Sequence, residues 1–377
     1  MSTNVDGAVL RPCDASDVAA ILAGRERALE VRGAGSKRGI GRVVEADVLD
    51  LGALRGVVAY EPAELVLTAQ AATPLATIEG LLAANAQRLA FEPPDLGRLL
   101  GADAAQTIGG VLAANLAGSR RVSAGAARDH FLGFHAVTGR GEPFKAGGKV
   151  VKNVTGYDLP KLLAGSWGTL AVLTEVTIRV VPAAELDRTL VVAGATPEAG
   201  VALLAAALGS AHDVSAAGFD PARGSLLRLE GFAASVEART TALCAELRCA
   251  PADIIDGAAS RRCWHDLGSG AALADSAVVW RLSVPPADAP AVLDRLRPER
   301  YALDWGGGLI LAGYSTVDAA HVRGAVASGH ATLIKAPPAE RAATPAFQPL
   351  PPVAAAAAAR LKHAFDPHGI LNPGRMD

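Results

Sequence analysis

Aromatic residues are scarce in this sequence, and positive and negative charges almost cancel. Only 4% of the 377 residues are Phe, Trp or Tyr, and 36 Lys and Arg face 38 Asp and Glu, for a formal net charge of -2 at pH 7. A nucleic-acid-binding surface needs clustered positive charge, and single-strand binding adds stacked aromatic side chains. The composition therefore argues against a nucleic-acid partner.

Cysteine is also rare, and its spacing excludes several classes of site. The four cysteines, Cys13, Cys244, Cys249 and Cys263, contain no C-x-x-C pair and do not form a disulfide framework in a chain of this length. The eight histidines are equally scattered, so no spacing typical of a zinc or iron–sulfur site occurs. We predict incidental thiols and no metal site.

Long uninterrupted hydrophobic runs are missing as well. Charged residues interrupt the N-terminal segment, and the uncharged run at 199–212 is too short and too polar to cross a bilayer. We therefore predict a cytoplasmic protein whose contact with any membrane would come through a partner. Half of the residues are hydrophobic, and the chain is too long for one ordinary core, which predicts two or more globular domains.

Residues 100–137 are the most informative stretch, because they are rich in glycine and small side chains. The segment TIGG at 107–110 opens a small-residue run to Asn115, which predicts a short helix whose first amides stay open to an anion. Gly118 is the expected left-handed residue at its end, and the apolar segment 131–137 predicts a buried strand. These features fit a backbone-lined slot for a large flat ligand that carries phosphates. Close packing for purely structural reasons would use the same residues.

A second glycine-rich segment, GAGSKRG at 33–39, follows a predicted strand at 29–32. It has neither the GxGxxG spacing of a dinucleotide fold nor the GxxxxGK[ST] spacing of a P-loop. Its consecutive amides, with Ser36 and Lys37 beside them, suit a pyrophosphate. A plain turn between two strands remains an equally good interpretation of this loop alone.

The remaining periodicity predicts alternating strands and helices. In the second half these predict an α+β unit built on an antiparallel sheet, followed by a proline- and alanine-rich linker and a helix over 354–365. The main predicted strands are 57–60, 65–70, 189–193, 225–230, 277–284, 309–313 and a long one ending at Pro182, and the main predicted helices are 201–208, 235–247 and 287–296.

Several motifs occur in a fixed order along the chain: VRGAGS, FEPPD, QTIGGVLAANLAGSRR, ARDHFLGFHAVTGRGE, VKNVTGYDLPKLLAGSWGTLAVLTEVTIR and the terminal FDPHGILNPGR. Together they resemble the FAD domain of the vanillyl-alcohol oxidase and p-cresol methylhydroxylase flavoproteins. Within that superfamily, their order and residues are most similar to the FAD-binding E subunits of bacterial glycolate oxidases.

The resemblance implies an α+β fold with a two-part PCMH-type FAD-binding domain over residues 1–182. A smaller α+β cap domain follows over 183–335, and residues 336–377 form a linker, a helix and a tail that returns to the FAD domain.

The resemblance also implies FAD as the cofactor. Some relatives attach their flavin through a histidine in the first loop, where this chain has Ser36, Lys37 and Arg38, so we predict non-covalent FAD. The first loop would wrap the pyrophosphate, the central stretch would lead towards the isoalloxazine, and residues 168–172 would lie near the adenine. The implied cofactor-binding residues are Arg32, Gly33, Ala34, Gly35, Ser36, Pro94, Asp95, Thr107, Ile108, Gly109, Gly110, Asn115, Gly118, Gly125, Gly168, Leu170, Val172 and Asn372.

One departure from the superfamily concerns catalysis. Its metal-dependent 2-hydroxy-acid dehydrogenases carry an HxGDGNxH signature, whereas the corresponding residues 303–311 here read LDWGGGLIL. Tryptophan, glycine and leucine cannot build a metal site. Tyr157, Lys152 and His130 are candidate bases only because they lie near the motifs, and packing or solvation explains each of them as well. No catalytic residue is assigned.

The resemblance implies an FAD-dependent oxidoreductase subunit that acts on CH–OH donors. It would belong to a complex with a D-type flavin subunit and an iron–sulfur subunit, which oxidises glycolate, a small 2-hydroxy acid, to glyoxylate and passes electrons to the iron–sulfur partner. Two alternatives stay open. The chain could be a self-sufficient dehydrogenase for another hydroxy acid or alcohol, or a non-catalytic scaffold that uses FAD only to fold.

Overall fold

A computed structural model describes residues 7–43, 45–148, 157–194 and 196–376. In these residues the strands form a small parallel sheet, an antiparallel sheet in the first half of the chain, and a larger antiparallel sheet in the second half. This mixture of helices and antiparallel sheets confirms the predicted α+β class.

The parallel sheet has the order β1-β3-β2, and the C-terminal tail extends it. The amide of Leu29 donates to the carbonyl of Ile370 at 2.7 Å, and the amide of Asn372 donates back to Leu29 at 2.9 Å. The tail therefore returns to the first part of the chain, as predicted. The elements here are β1 (Val9–Leu10), α1 (Ala15–Leu22), β2 (Leu29–Arg32) and β3 (Asp47–Asp50).

The first antiparallel sheet has the order β4-β5-β9-β7-β8, and β6 also pairs with the long central strand β9. Alternating apolar residues of these strands pack against the helices that lie between them in the sequence. The predicted hairpin 57–70 and the buried strand 131–137 are confirmed. The elements are β4 (Val57–Glu61), β5 (Val66–Gln70), α2 (Leu75–Ala83), β6 (Gln87–Leu89), α3 (Gly97–Leu100), α4 (Ile108–Ala114), α5 (Arg121–Ala124), β7 (Phe131–Thr138), β8 (Pro143–Gly147), α6 (Leu159–Leu163) and β9 (Ala171–Pro182).

The larger sheet is antiparallel throughout, in the order β13-β10-β12-β11-β15-β16-β14-β17. Its elements are β10 (Leu186–Val192), α7 (Pro197–Gly209), β11 (Val214–Asp220), β12 (Gly224–Gly231), α8 (Ala233–Leu247), β13 (Asp253–Asp256), α9 (Gly257–Gly268), β14 (Val278–Ser283), α10 (Ala289–Leu296), β15 (Arg300–Asp304), β16 (Leu309–Tyr314), α11 (Ala319–Gly324), β17 (His330–Lys335), α12 (Pro338–Ala343) and α13 (Pro352–Phe365).

Sequence periodicity missed several of these elements. Strands β11, β15 and β17 and helix α9 were not predicted, and α12 lies in the segment interpreted as a linker. Buried strands such as β11 show no polar alternation, because both of their faces are covered. One face of the sheet packs on α7, α8 and α10, and the other joins side chains of the first half, such as Leu99 and Trp167, in a shared core.

A buried ion network also joins the two halves of the chain. The Arg228 guanidinium on β12 donates from Nη1 to Glu92 Oε1 at 2.7 Å and from Nη2 to Asp187 Oδ2 at 2.5 Å. Glu230 lies two residues further along β12 and accepts a hydrogen bond from Arg88 of the first half. Burial alone would raise the pKa of Glu230, but the surrounding arginines lower it to about 2.

Candidate functional site

A cavity opens between the loop after β2, the start of α4 and the turn before β9. Much of the lining is main chain and small side chains. Its charged members are Glu30, Arg32, Lys37, Arg38 and Arg375, and its other members include Gly33, Ala34, Gly35, Ser36, Thr107, Gly109, Gly110, Leu163, Ser166, Trp167, Gly168, Leu173 and Asn372.

The loop after β2 presents unpaired main-chain donors to this cavity. Among the described residues, no acceptor takes a hydrogen bond from the amides of residues 34–37. Gly35 has a φ of +81°, and the amide of Arg38 donates back to its carbonyl at 3.2 Å, which makes the turn tight. A run of free amides curled in this way is a nest for an anion.

Close approach of backbone explains the glycines on both walls. A Cβ added to Gly33 would overlap the Thr107 hydroxyl on the opposite wall. A Cβ added to Gly168 would lie 2.8 Å from Asn372 Nδ2, and its φ of +68° also favours glycine. Any side chain at these positions would therefore fill the cavity or move its walls.

The start of α4 does not offer the free amides that the sequence led us to expect. The amide of Ile108 donates to Thr73 at 3.0 Å, and that of Gly109 donates to Ala71 at 2.8 Å. The amide of Gly110 donates to the Thr107 hydroxyl, which caps the helix. That expectation was wrong, and the free donors come from the loop after β2 instead.

The end of α4 also differs from the prediction. The left-handed residue is Asn115, with a φ of 47°, and not Gly118. Gly118 is needed for a different reason: its amide donates to the Glu92 carbonyl at 2.7 Å, and a Cβ would overlap that oxygen. Helix termination and close approach both favour residues without bulky side chains, so composition could not tell them apart.

The C-terminal tail holds one end of the cavity in place through Asn372. Its Oδ1 accepts from the amide of Val31 on β2 at 2.8 Å, and its Nδ2 donates to the carbonyl of Trp167 at 2.8 Å. One buried side chain thus links β2, the turn before β9 and the tail. Asn372 therefore joins the last motif of the sequence, FDPHGILNPGR, to the first, VRGAGS.

The charge of the lining is positive. Among the described residues, the lining contains four cations, Arg32, Lys37, Arg38 and Arg375, and one carboxylate, Glu30. Glu30 accepts two hydrogen bonds from Arg38, at 2.6 and 2.8 Å, and lies 3.5 Å from Arg375. The cavity therefore fits an elongated ligand with an anionic diphosphate.

The predicted cofactor-binding residues fall into two groups. Arg32, Gly33, Ala34, Gly35, Ser36, Thr107, Gly109, Gly110, Gly168 and Asn372 line the cavity. Pro94, Asp95, Ile108, Asn115, Gly118, Gly125, Leu170 and Val172 lie outside its lining.

Members of the second group have structural contacts of their own. Ile108, Leu170 and Val172 bury their side chains in the hydrophobic cores. Asn115 accepts from the amide of Arg128 at 3.0 Å, which fixes the segment that contains Gly118 and Gly125.

Trp167 and Arg375 line the cavity and were missed by sequence reasoning, whereas Lys37 was placed beside the first-loop amides but left out of the cofactor-binding residues. Each belongs to a motif already singled out, the first loop, SWG and NPGR, so motif membership was the available signal.

Two of the three candidate bases can be placed, and neither lines the cavity. Tyr157 is 92% exposed. His130 is buried, with its Nε2 2.7 Å from the Ala124 carbonyl, and burial lowers its pKa. Lys152 lies outside the described residues.

In the segment 303–311, the carboxyl of Asp304 and the indole of Trp305 are buried. Ser119 donates to Asp304 Oδ2 at 2.6 Å, and the indole of Trp305 donates to the carbonyl of Gly118 at 2.9 Å. The guanidinium groups of Arg121 and Arg281 lie 5.0 and 4.8 Å from the centre of the indole ring. No group of three or more potential metal ligands occurs among the residues described.

The buried carboxyl of Asp304 should make stability depend on pH. Burial raises its pKa to about 7, from 3.8. The folded chain then binds this proton more tightly than the unfolded chain, so stability should fall as pH rises from about 4 to about 7, by about 2–4 kcal/mol. Asp304→Asn should remove this slope in urea unfolding at several pH values. Asp275→Asn, at an exposed carboxyl, should keep it, and parallel profiles for Asp304→Asn and the wild type would contradict the assignment.

Comparison with known proteins defines the class. The profile of the FAD binding domain family matches residues 7–147, and that of the C-terminal domain of FAD linked oxidases matches residues 348–376. Solved structures of alkyldihydroxyacetonephosphate synthase share the fold, with a TM-score of 0.67, 14% identity, and coverage of 97% of this chain and 75% of that one. The chain is thus an FAD-dependent oxidoreductase of the FAD-linked oxidase class, and FAD is its cofactor.

Proteins whose sequences are more similar to this chain than that synthase identify its family. The chain is 35% identical to glycolate oxidase subunit GlcE of Escherichia coli over 98% of its own length and 99% of that protein. Glycolate oxidase subunit GlcD of Bacillus subtilis is 36% identical over 33% of this chain and 25% of its own length. The chain belongs to the family of glycolate oxidase E subunits. Within the described residues, helices long and apolar enough to cross a membrane are absent.

Proposed function

We propose that this chain is the FAD-binding subunit of a glycolate oxidase complex that oxidises glycolate to glyoxylate. The similarity to GlcE over nearly the whole of both chains supports this proposal most directly. The partial similarity to GlcD supports a complex in which a second, related flavin subunit takes part. An iron–sulfur subunit would receive the electrons.

The cavity lining would hold FAD without a covalent bond. The amides of 34–37 and the buried hydroxyl of Ser36 suit the diphosphate, and the net positive charge favours it. Gly168 and Asn372 shape the opposite wall. When bound, FAD supplies two-electron chemistry, since it accepts an electron pair from a donor and passes electrons on. Acid precipitation should therefore release all of the yellow colour into solution.

In this proposal, the D-type subunit carries out the oxidation at the substrate carbon. The FAD of this chain relays electrons. A hydroxy-acid oxidation needs a proton acceptor beside the flavin. The lining carboxylate Glu30 is engaged by Arg38 and Arg375, and the placed candidate bases, Tyr157 and His130, lie elsewhere. The described part of the cavity thus has the parts to bind a flavin, and lacks a free carboxylate or histidine for this step.

We also propose the division into an FAD-binding domain over 1–182, a cap over 183–335 and a linker, helix and tail over 336–377. Strand β9 ends at Pro182 and β10 begins at Leu186, which supports the first boundary. Contact with the inner membrane would come only through the partner subunits.

Co-expression with the D-type and iron–sulfur subunits tests the function. The three chains should co-purify with flavin and iron, and anaerobic glycolate should reduce the flavin of this chain only in their presence. Turnover of a hydroxy acid by the isolated chain with an artificial acceptor would instead indicate a self-sufficient dehydrogenase. A flavin of this chain that stays oxidised under anaerobic glycolate, in a complex whose D-type flavin is reduced, would indicate a scaffold.

A further inference from the structure

Lys37 lines the cavity on the loop after β2, and its side chain reaches a residue beside the opposite wall. It follows Ser36 on the loop after β2, and its Nζ donates to Gln106 Oε1 at 2.6 Å. Gln106 is 8% exposed and directly precedes Thr107 on the opposite wall. An ammonium group has three donors, and the partner identified for it is a neutral amide oxygen.

The carboxylates near Lys37 are engaged by other groups. Glu30 on β2 is bound by Arg38 and approached by Arg375, and Arg32 adds another cation to the lining. Asp95, on the segment before α3, is the carboxylate that acts on Lys37, and it accepts from the amide of Gly97 at 3.0 Å. Burial lowers the pKa of Lys37 to about 8, although Asp95 opposes this shift.

The free hydrogen-bond donors beside Lys37 indicate which ligand group would supply the negative charge that pairs with its ammonium. The amides of 34–37 have no acceptor among the described residues, and the Ser36 hydroxyl lies on the same lining. Amides, a hydroxyl and an ammonium on one short loop are the donors that a diphosphate requires. Neutral portions of the cofactor would leave Asp95, which already accepts from the amide of Gly97, as the carboxylate that acts on the ammonium.

We propose that Lys37 is a further cofactor-binding residue of this chain, whose ammonium pairs with the diphosphate of FAD, so that FAD binding takes up a proton at alkaline pH. The proposal rests on FAD occupying this cavity. The Lys37 side chain, which Gln106 holds in position, would add a cation to the main-chain contacts of the loop.

The sign of the pH dependence follows from the two states of Lys37. Without cofactor the ammonium loses its proton near pH 8, whereas a bound diphosphate would raise its pKa. The complex then holds more protons than the empty chain, so affinity should fall as pH rises above about 8, by up to about tenfold per pH unit. A guanidinium stays protonated over this range.

Three variants test the proposal: Lys37→Met, Lys37→Arg and, as a control, Lys145→Met at an exposed lysine on β8. FAD dissociation constants would be measured by fluorescence quenching between about pH 7 and about pH 9.5. Lys37→Met should weaken binding at neutral pH by about tenfold or more and flatten the pH profile. Lys37→Arg should retain affinity with a flat profile, and Lys145→Met should match the wild type.

Two further measurements locate the charge that Lys37 meets. ADP-ribose, which has the diphosphate but no flavin ring, should lose affinity in Lys37→Met by the same factor as FAD, and the midpoint potential of bound FAD should stay unchanged. A shifted potential with unchanged ADP-ribose affinity would place the ammonium at the ring and overturn the proposal. Wild-type affinity and slope in Lys37→Met would also overturn it. Failure of the wild type itself to bind FAD would instead refute the cofactor site.

Discussion

Arg228→Met is expected to lower the free energy of unfolding by about 3–5 kcal/mol, the cost of removing one partner from a buried ion pair. Arg228 is 1% exposed and is bonded to Asp187 and Glu92. Without it, the remaining side-chain partner of the Asp187 carboxylate, which is 4% exposed, is the Ser260 hydroxyl among the residues that the structure describes. Urea unfolding followed by circular dichroism and by tryptophan fluorescence would measure the loss.

The matched control for Arg228→Met is Arg140→Met. Arg140 pairs with Glu142 at 3.1 Å on the surface, where both side chains are largely exposed, and such pairs contribute about 0–1 kcal/mol. A loss below about 1 kcal/mol for Arg228→Met, equal to that of Arg140→Met, would show that the network does not hold the two halves of the chain together. Arg228→Lys should lie between the two, because one ammonium cannot reproduce the paired guanidinium contacts.

Gly33→Ala is expected to weaken FAD binding on the order of a hundredfold while the chain still folds. The added methyl group would overlap the Thr107 hydroxyl, so the loop or the opposite wall must move by a few tenths of an ångström or more. Thr107 caps α4 through Gly110 and has little freedom to turn away. Displacements of this kind in a preorganised site cost large factors in affinity or rate. Flavin fluorescence titration would measure the dissociation constant.

Gly80→Ala serves as the control for the glycine replacement. Gly80 lies within α2, and a Cβ built there meets no atom within 4 Å. Alanine should stabilise this helix by up to about 1 kcal/mol and leave FAD affinity unchanged. Equal FAD affinity for Gly33→Ala and Gly80→Ala would contradict the position of the loop against the opposite wall, and with it the proposed site.

Secondary-structure elements could be predicted from the sequence where they depend on residues that are neighbours in the chain. The hairpin of β4 and β5 and the buried strand β7 followed from alternation and apolar runs. At the start of α1, Asp14 is the cap, because it accepts from the amides of both Ser16 and Asp17, although Ser16 has the same capping chemistry. Adjacent candidates of similar chemistry cannot be separated by sequence alone.

The sequence by itself determined the family and the cofactor and predicted the loop that would receive it, because motif order and glycine placement depend on residues close together in the chain. Only the tertiary structure decided which groups remain free. The amides at the start of α4 donate to the carbonyls of Thr73 and Ala71, whereas those of residues 34–37 have no acceptor within the part of the chain that the structure describes. It also brought Asn372 to β2 and Lys37 to Gln106. Hydrogen-bond partners distant in sequence are fixed by packing, and no local pattern records them.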